Sequence, residues 1–339
     1  MKKVAVVILN YNGKKFLEKF LPGVLLHSHE VADIWVADNC SSDDSVNLLK
    51  EQFPEVHLIE NPENGGFATG YNQALSQIKA EYYILLNSDI EVTPGWVEPV
   101  IQLMDGDKSI AACQPKIRSY FKKQDFEYAG ASGGFMDKYG YPFCRGRIFQ
   151  HLETDQQQYD DAVEVFWATG ACLFVRADVY HQLDGLDGDF FAHMEEIDFC
   201  WRAKNKGFKI MVCPQSVVYH IGGGTLPKSS SRKTYLNFRN NSVLLYKNLP
   251  DNRLVKTFIA RLFLDGVAAL KFLLQGGVKD FVAVIKAHMY FYSHYPALRR
   301  KRKNLVQSEV TGLYNGNIAF DHYLWRKKKF SDLNPEEFT

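Results

Sequence analysis

Residues 81–91, EYYILLNSDIE, decide the fold class. Residues 82–86 form a short apolar run rich in β-formers, which predicts a strand buried on both faces of a parallel sheet. The run ends abruptly in the polar residues Asn87, Ser88 and Asp89. Ligands of open α/β sheets bind beyond the carboxyl ends of the strands, so we expect these side chains to face a ligand. A lone Asp in this position would more often only cap a turn.

The same alternation of strand and helix repeats upstream of this stretch. Strands are predicted at residues 4–9, 33–37 and 56–60, and helices at 14–26, after 41–44, at 71–78 and from Thr93 onward. Pro22 is expected to kink or end the first helix. This repetition predicts an α/β protein with a doubly wound, mostly parallel sheet. Residues 118–164 show no regular period, and we expect loops with some strand there.

Charge and cysteine content limit the classes of function and the cellular compartment that we expect. The formal net charge is +1, whereas a dedicated nucleic-acid binder usually carries a basic excess, so no nucleic-acid partner is expected. The six cysteines form no C-x-x-C pair, which favours free thiols in a reducing cytosol. Only six apolar residues lie between Lys3 and Asn10, too few for a secretory signal. We therefore expect a cytoplasmic protein.

Seven segments in order resemble a known family. VVILNYNG, VADNCSSDDS, NGGFATGYNQAL and LLNSDIEVTPGW are similar to the N-terminal half of family 2 glycosyltransferases with the GT-A fold, in the style of bacterial rhamnosyl- and galactofuranosyltransferases. The segments beginning WATGA and HMEEID, and then VVYHIGGGT, are similar to the second half. The resemblance covers roughly residues 4–225. It implies a GT-A catalytic domain at residues 1–228 and a helical region at 229–339.

The resemblance assigns a nucleotide-sugar pocket to the strand ends. A carboxylate at Asp38 accepts a hydrogen bond from N3–H of uracil or thymine, which cytosine lacks, so UDP or dTDP donors are favoured over GDP. Alternatively, Asp38 only begins a capped turn. The resemblance also assigns Asn10, Tyr11, Asn64, Gly66, Asn72, Asn87, Ser88 and Asp89 to this pocket. A Gly-Gly pair such as 65–66 is more often just a turn.

A divalent metal is the cofactor that the resemblance implies. Asn87-Ser88-Asp89 stands in place of the DXD motif, with Asn for the first Asp, which leaves Asp89 as the carboxylate ligand. His220 matches the second metal ligand of the family, although a lone His is usually structural. Mg²⁺ or Mn²⁺ held there would stabilise the charge of the departing diphosphate.

The catalytic base is expected in the acidic segment at residues 195–198. Acids this close repel one another, which raises at least one pKa toward a value that suits a base. The resemblance assigns the base to Glu196, with Glu195 as the runner-up, although relatives more often have Asp at that position. Asp198 and Arg202 are spaced for a structural ion pair. The alternative for the whole cluster is an acidic first turn favoured by the helix dipole.

The WATGA segment is a candidate wall between donor sugar and acceptor. Trp167 and Gly170 are its candidate residues, and Trp167 is equally well explained as a core side chain. One base without a placed nucleophile implies direct displacement with inversion at the anomeric carbon.

The C-terminal region leaves two interpretations open. Residues 232–246 predict a helix, and residues 254–274 predict an amphipathic helix with too many charges to span a membrane. Residues 278–295 stay apolar and aromatic up to the basic run 299–303. This pattern suits an anionic membrane surface, peripherally on the inner face of the plasma membrane. It suits equally a helical hairpin packed on the catalytic domain or on a second subunit of a homo-oligomer.

The sequence thus predicts an inverting, metal-dependent glycosyltransferase. It would move a sugar from a UDP- or dTDP-sugar to a glycan or lipid-linked acceptor in cell-surface polysaccharide synthesis. One alternative is a nucleotidyltransferase, which normally has a Gly- and basic-rich loop after the first strand; LNYNG offers neither. The other is a catalytically silent sugar-nucleotide or glycan-binding protein, against which Asp89, His220 and Glu196 argue.

Overall fold

The computed structural model describes residues 2–222 and 230–339. The strands are β1 (Val4–Asn10), β2 (Ala32–Asp38), β3 (His57–Glu60), β4 (Tyr82–Asn87), β5 (Ile90–Val92), β6 (Ile110–Ser119), β7 (Gly134–Asp137), β8 (Pro142–Cys144), β9 (Arg147–Ile148), β10 (His151–Leu152), β11 (Val163–Val165), β12 (Cys172–Arg176), β13 (Lys209–His220) and β14 (Leu313–Tyr314). The α-helices are α1 (Lys14–Ser28), α2 (Ser45–Gln52), α3 (Gly66–Leu75), α4 (Glu98–Gly106), α5 (Ala177–Gln182), α6 (Glu195–Asn205), α7 (Ser231–Asn248), α8 (Asp251–Leu274), α9 (Val278–Lys303) and α10 (Ile318–Tyr323).

A central sheet in the order β11-β13-β6-β12-β4-β1-β2-β3 carries the fold, with β5 paired to β13. Strands β1 to β4 run parallel. The apolar runs of β1 and β4 are buried on both faces, as the sequence predicted, whereas β3 at the edge of the sheet is mostly exposed. The register sets Asn10 opposite Asp38, and Leu9 opposite Asn87. The polar residues that follow the strands therefore lie along one edge of the sheet. The predicted α/β class with a central sheet flanked by helices is confirmed.

Three element boundaries differ from the sequence predictions. Helix α1 continues through Pro22, because its buried apolar face extends past the proline to Val24. Helix α3 begins at Gly66 rather than at Tyr71. Thr93 does not begin a helix: β5 forms first, and the Thr93 hydroxyl donates to the carbonyl of Val217 at 2.7 Å.

The segment without a regular period builds a second, smaller sheet in the order β10-β9-β8-β7-β14. Strand β14 comes from the last part of the chain and pairs in parallel with β7. The rings of Phe330 and Phe338 then pack on Phe135 at centroid distances of 5.0 and 5.3 Å. The region that the sequence assigned to helices alone thus also completes this sheet. The predicted domain boundary at 228/229 lies outside the described residues.

Helices α7, α8 and α9 follow the central sheet. Helix α7 matches the predicted helix, and α8 and α9 form a hairpin joined by Gly276 and Gly277. In the part of the chain that the structure describes, no helix combines the length and the apolar character needed to cross a bilayer. All six cysteines are free, as predicted.

Candidate active site

The pairing of β5 with β13 brings Asp89 to His220. The register sets His220 opposite Ile90, and the backbone N–H of Ile221 donates to the carbonyl of Asp89 at 3.2 Å. The Nε2 atom of His220 consequently lies 3.1 Å from Oδ1 of Asp89. Both side chains are buried, at 5% and 7% exposure. The two residues predicted as metal ligands therefore lie side by side.

A second carboxylate, which the sequence did not single out, flanks the same imidazole. Oε2 of Glu127 lies 3.2 Å from Nδ1 of His220, within ion-pair distance, although Nδ1 lacks a well-aligned hydrogen bond. Burial by itself would lower the pKa of His220, but Asp89 and Glu127 outweigh it and raise this pKa to about 10. Glu127 comes from the segment without a regular period, so no sequence pattern pointed to it.

Asp89 and His220 fit part of the coordination sphere of a divalent metal, and a bound substrate would complete that sphere. No three His, Cys, Asp or Glu side chains within residues 2–222 and 230–339 are grouped as a self-sufficient metal site. Asp89 and His220 offer an oxygen and a nitrogen 3.1 Å apart. Adjacent ligands of an octahedral ion with metal–ligand distances of about 2.1 Å lie roughly 3 Å apart. This pair is therefore suited to two neighbouring coordination positions, and donor phosphate and water would supply the others.

Asn10 and Asp38 are linked at the ends of β1 and β2. The Asn10 amide donates to Oδ2 of Asp38 at 3.0 Å, and the Ser41 backbone N–H donates to Oδ1 at 2.8 Å. Asp38 thus begins a capped turn, while each of its oxygens retains a second acceptor position. Oδ1 of Asn10 is buried and has no hydrogen-bond partner among the described residues. Tyr11, the next residue, is 42% exposed.

An asparagine network, only partly anticipated, continues this edge. The Asn39 amide donates to Oδ1 of Asn64 at 2.9 Å, and the Asn61 amide donates to Asn39 at 3.2 Å. Gly66 lies two residues after Asn64 and has a φ of 76°. A Cβ at this position would lie 2.6 Å from the carbonyl oxygen of Phe191. A glycine is therefore required by the turn and by the close approach of the Phe191 backbone. Asn39 and Asn61 could have been found from their strand-end positions.

Asn72 makes its hydrogen bonds away from the strand ends. Its Oδ1 accepts from the Tyr180 hydroxyl at 2.6 Å and from the Leu186 N–H at 3.0 Å, and its amide donates to the Leu186 carbonyl at 2.7 Å. These bonds tie α3 to the loop after α5 rather than to the strand ends. The assignment of Asn72 to the nucleotide pocket stays a prediction from the resemblance.

Glu195 is buried and Glu196 is half-buried at the start of α6. Oε2 of each has no hydrogen-bond partner among the described residues. Burial raises the pKa of Glu196 to about 7. Burial, and next the charge of Glu196, raise the pKa of Glu195 well above its ordinary value. At least one carboxyl of the pair therefore has the raised pKa expected of a base.

A short backbone path connects these acids to the end of β4. A Cβ added at Gly170 would lie 3.6 Å from Cβ of Glu196. The next residue, Ala171, accepts from the backbone N–H of Asn87 at 2.9 Å. The WATGA segment thus lies between the Glu196 region and the Asn87-Ser88-Asp89 turn.

Trp167 is a buried side chain of this segment. Its Nε1–H donates to the carbonyl of Phe135 at 2.9 Å, and its ring packs on Gly134, where a Cβ would lie 2.1 Å from the indole. This packing agrees with the interpretation of Trp167 as a core side chain. A role in the wall between donor sugar and acceptor stays a prediction.

The loop before Glu195 is strained and held from α7. Phe191, His193 and Met194 have φ of 63°, 70° and 75°, a region that is unfavourable for residues other than glycine. The Asn240 amide lies within 2.7–3.1 Å of the carbonyls of Phe190, Ala192 and His193. Helix α7 therefore fixes the backbone that leads into the acidic pair.

The predicted structural ion pair between Asp198 and Arg202 is present. Nε of Arg202 donates to Oδ2 of Asp198 at 2.7 Å, and Nζ of Lys247 lies 2.8 Å from Oδ1. Burial opposes ionisation, but Lys247 and Arg202 outweigh it and hold the pKa of Asp198 below its ordinary value. Asp198 is thus an ion-paired anchor between α6 and α7, distinct in role from the two glutamates.

Comparison with known proteins identifies the family. The family model for glycosyl transferase family 2 matches residues 5–183, more than half of the chain. The N-acetylglucosaminyl-diphospho-decaprenol L-rhamnosyltransferase of Mycobacterium tuberculosis is 24% identical over 230 residues, which is 63% of this chain and 75% of the relative. The low-salt glycan biosynthesis hexosyltransferase Agl10 of Haloferax volcanii is 24% identical over 252 residues, covering 70% of this chain and 73% of the relative.

A solved structure shares the fold. The crystal structure of GalNAc-T7 with UDP, GalNAc and Mn²⁺ superposes with a TM-score of 0.57 at 18% identity. The superposition covers 87% of this chain and 58% of that one. At this identity the similarity concerns the GT-A fold, as the sequence predicted. The chain therefore belongs to glycosyl transferase family 2, and it is a glycosyltransferase.

Proposed function

We propose that this enzyme transfers a sugar from a UDP- or dTDP-sugar to a glycan or lipid-linked acceptor, with inversion at the anomeric carbon. The transfer would serve the synthesis of a cell-surface polysaccharide at the inner face of the plasma membrane. The observation that carries the proposal is the arrangement around the end of β4. There the Asp89–His220 pair and the Glu195–Glu196 pair are connected through Asn87, Ala171 and Gly170.

Each part of this arrangement has a chemical task. Asp38 accepts the N3–H of uracil or thymine beyond the end of β2. Asp89 and His220 hold Mg²⁺ or Mn²⁺, which offsets negative charge on the nucleoside diphosphate as it leaves. Glu196, with a pKa near 7, is ionised in a large fraction of molecules at neutral pH and takes the proton of the acceptor hydroxyl.

The donor and acceptor classes are supported by the relatives. The mycobacterial relative is named for rhamnosyl transfer to a sugar on a decaprenyl diphosphate, and the haloarchaeal relative for glycan biosynthesis. The structural neighbour was crystallised with UDP and Mn²⁺. A lipid-linked saccharide acceptor agrees with the name of the mycobacterial relative, and a pyrimidine-nucleotide donor agrees with the UDP of the structural neighbour and with Asp38.

The test is a panel of UDP-, dTDP- and GDP-sugars assayed for metal-dependent hydrolysis and for transfer. We expect turnover of a UDP- or dTDP-sugar that stops when the metal is chelated. We also expect Glu196→Gln to lose transfer while it still binds the donor nucleotide. Binding without turnover of any donor would favour a catalytically silent binding protein. Release of inorganic diphosphate from a nucleoside triphosphate would favour a nucleotidyltransferase.

A further inference from the structure

Helix α8 is inverted relative to the pattern of a water-exposed helix. Its inward side carries polar and charged residues: Thr257, Arg261 and Asp265 are all at most 6% exposed. Nη2 of Arg261 pairs with Oδ1 of Asp265 at 2.9 Å, and Nε2 of His288 on α9 lies 3.2 Å from Oδ2. A helix whose outer side faces water normally buries its apolar stripe and exposes its charged residues.

The outward side of α8 is apolar. Val255 and Ile259 are each 66% exposed, and the same half of the helix also exposes Leu262, Phe263, Val267, Leu270, Leu273 and Leu274. At about 100° per residue these side chains occupy one continuous half of the helix circumference. Soluble monomers rarely expose an apolar patch of this extent, so this side of α8 requires a partner.

Helix α9 carries a second exposed apolar stripe that ends in basic residues. Exposed apolar residues lie along one stripe, namely Val278, Val282, Ile285, Met289 and Tyr292. About 100° per residue places Arg299, Arg300 and Lys303 on the same stripe, two turns further on. The stripe thus changes from apolar to cationic along a single side of the helix. We call the exposed apolar sides of α8 and α9, with this basic end, the hairpin face.

The exposed charge of the hairpin is basic except at Asp251, the first residue of α8, which pairs with Arg302. Between residues 252 and 303 the exposed charged side chains are all basic, namely Lys256, Lys271, Lys279, Lys286, Arg299, Arg300 and Lys303. The acidic side chains of this range are not exposed. Asp265 is buried, and the half-buried Asp280 accepts a hydrogen bond from the Thr234 hydroxyl at 2.6 Å. The hairpin face therefore complements an anionic apolar partner and repels a cationic one.

The C-terminal segment extends this surface beside α8. Nζ of Lys271 lies 4.4 Å from the centre of the Tyr323 ring. Leu324 and Trp325 follow at 66% and 73% exposure, and Arg326, Lys328 and Lys329 are exposed immediately after them. Trp and Tyr beside Lys and Arg are the residues that accumulate where hydrocarbon meets charged headgroups.

We propose that the hairpin face docks on the surface of an anionic lipid bilayer, with α8 and α9 lying in the interface plane. An apolar layer rimmed by lysine and arginine matches acyl chains beneath negatively charged headgroups. The proposal deepens the proposed function, because docking would bring the active site to a lipid-linked acceptor. Its physical basis is the hairpin face itself and does not depend on the transfer chemistry.

The test is co-sedimentation of the full chain with vesicles of phosphatidylcholine, with and without about one third phosphatidylglycerol. One variant removes apolar contacts (Val255→Ser, Ile259→Ser and Leu262→Ser), and a second removes charge (Arg299→Gln, Arg300→Gln and Lys303→Gln). Leu26→Ser on α1 is the matched control, since Leu26 is 67% exposed but lies away from the hairpin. We expect wild type and control to bind the anionic vesicles. Each triple variant should bind them more than about tenfold more weakly.

Other outcomes would overturn the proposal. Failure of the wild type to bind anionic vesicles at low salt is one. A dimer in sedimentation velocity that the apolar variant dissociates, together with no vesicle binding, would assign the face to a second copy of the chain. Metal-dependent hydrolysis of the donor, measured without vesicles, tests the proposed function separately, and we expect both triple variants to retain it. Loss of docking with intact hydrolysis, or the reverse, distinguishes the two proposals.

Discussion

The Nε2 atom of His220 lies 3.1 Å from Oδ1 of Asp89, although 131 positions separate the two residues in the chain. We expect Asp89→Asn and His220→Gln each to weaken Mn²⁺ binding by about tenfold or more, because each removes one of the two protein ligands. Titration calorimetry with Mn²⁺ in the presence of UDP measures this directly. His57→Gln, at an exposed imidazole at the start of β3, is the control and should bind Mn²⁺ like the wild type. Unchanged affinity in both site variants would remove the metal site from this pair.

Glu127 is expected to position His220 without touching the metal. A carboxylate on the far nitrogen of a ligand imidazole fixes the orientation of the ring, and loss of such partners typically weakens metal binding about 10- to 100-fold. We expect a loss in this range for Glu127→Gln in the same calorimetric titration. Asp125→Asn, two residues away in the same loop, should leave the affinity unchanged. Equal affinities for Glu127→Gln and wild type would mean that the 3.2 Å contact has no influence on the metal.

The site residues that the strand pattern itself indicated are those at strand ends. Asn10, Asp38 and Asn87 follow apolar runs of 4 to 6 residues, and such runs fix both the strand and the edge where it ends. Glu127 was missed because it lies on an irregular loop that only the tertiary pairing of β13 with β6 brings to His220. Strand β14 was missed for a similar reason, since a two-residue strand leaves no periodicity to detect.

The pH dependence of transfer should reflect the pKa of the catalytic base. Glu196 must be a carboxylate to accept a proton, and burial raises its pKa to about 7. We therefore expect kcat/KM to rise with pH up to about 7 and to level off above it. Glu196→Gln should lower transfer by about 10²- to 10⁴-fold and abolish this rising limb, while its affinity for the donor nucleotide is unchanged.

The neighbouring acid is the natural comparison for that experiment. Glu195→Gln should keep the rising limb near pH 7, because burial raises the pKa of Glu196, whereas the charge of Glu196 acts on the pKa of Glu195. If the limb vanished in Glu195→Gln and persisted in Glu196→Gln, the base would be Glu195.

A pair of glycine substitutions tests the packing that supports the WATGA segment. A Cβ at Gly134 would lie 2.1 Å from the Trp167 ring, so we expect Gly134→Ala to lower the free energy of unfolding by about 1–3 kcal/mol. Gly266 lies in exposed α8, and no atom comes within 4 Å of its Cβ position. Gly266→Ala should therefore raise the free energy of unfolding by about 0.5–1 kcal/mol. Urea denaturation of both variants measures the difference, and effects of the same sign would contradict this account.

Asn240 allows the strained loop before Glu195 to be tested from a distance. In Asn240→Asp the shape is kept, but a carboxylate would face the carbonyls of Phe190, Ala192 and His193, to which the amide now donates. Three of the four residues 191–194 have a positive φ, which is strained backbone. We therefore expect the loop to relax when it loses its hydrogen bonds from the Asn240 amide. Amide hydrogen exchange of this loop should accelerate, and kcat should fall more than the affinity for the donor nucleotide.

Asn237→Asp is the control for that measurement, because it makes the same chemical change one turn earlier on α7, at a half-buried side chain. It should leave both exchange and kcat near wild type. The comparison separates the added charge, which the two variants share, from the lost hydrogen bonds, which only Asn240→Asp suffers. Equal effects of the two substitutions would mean that charge on α7, and not the three carbonyl contacts, governs the position of the acidic pair. Faster exchange without a change in kcat would mean that the loop geometry does not limit transfer.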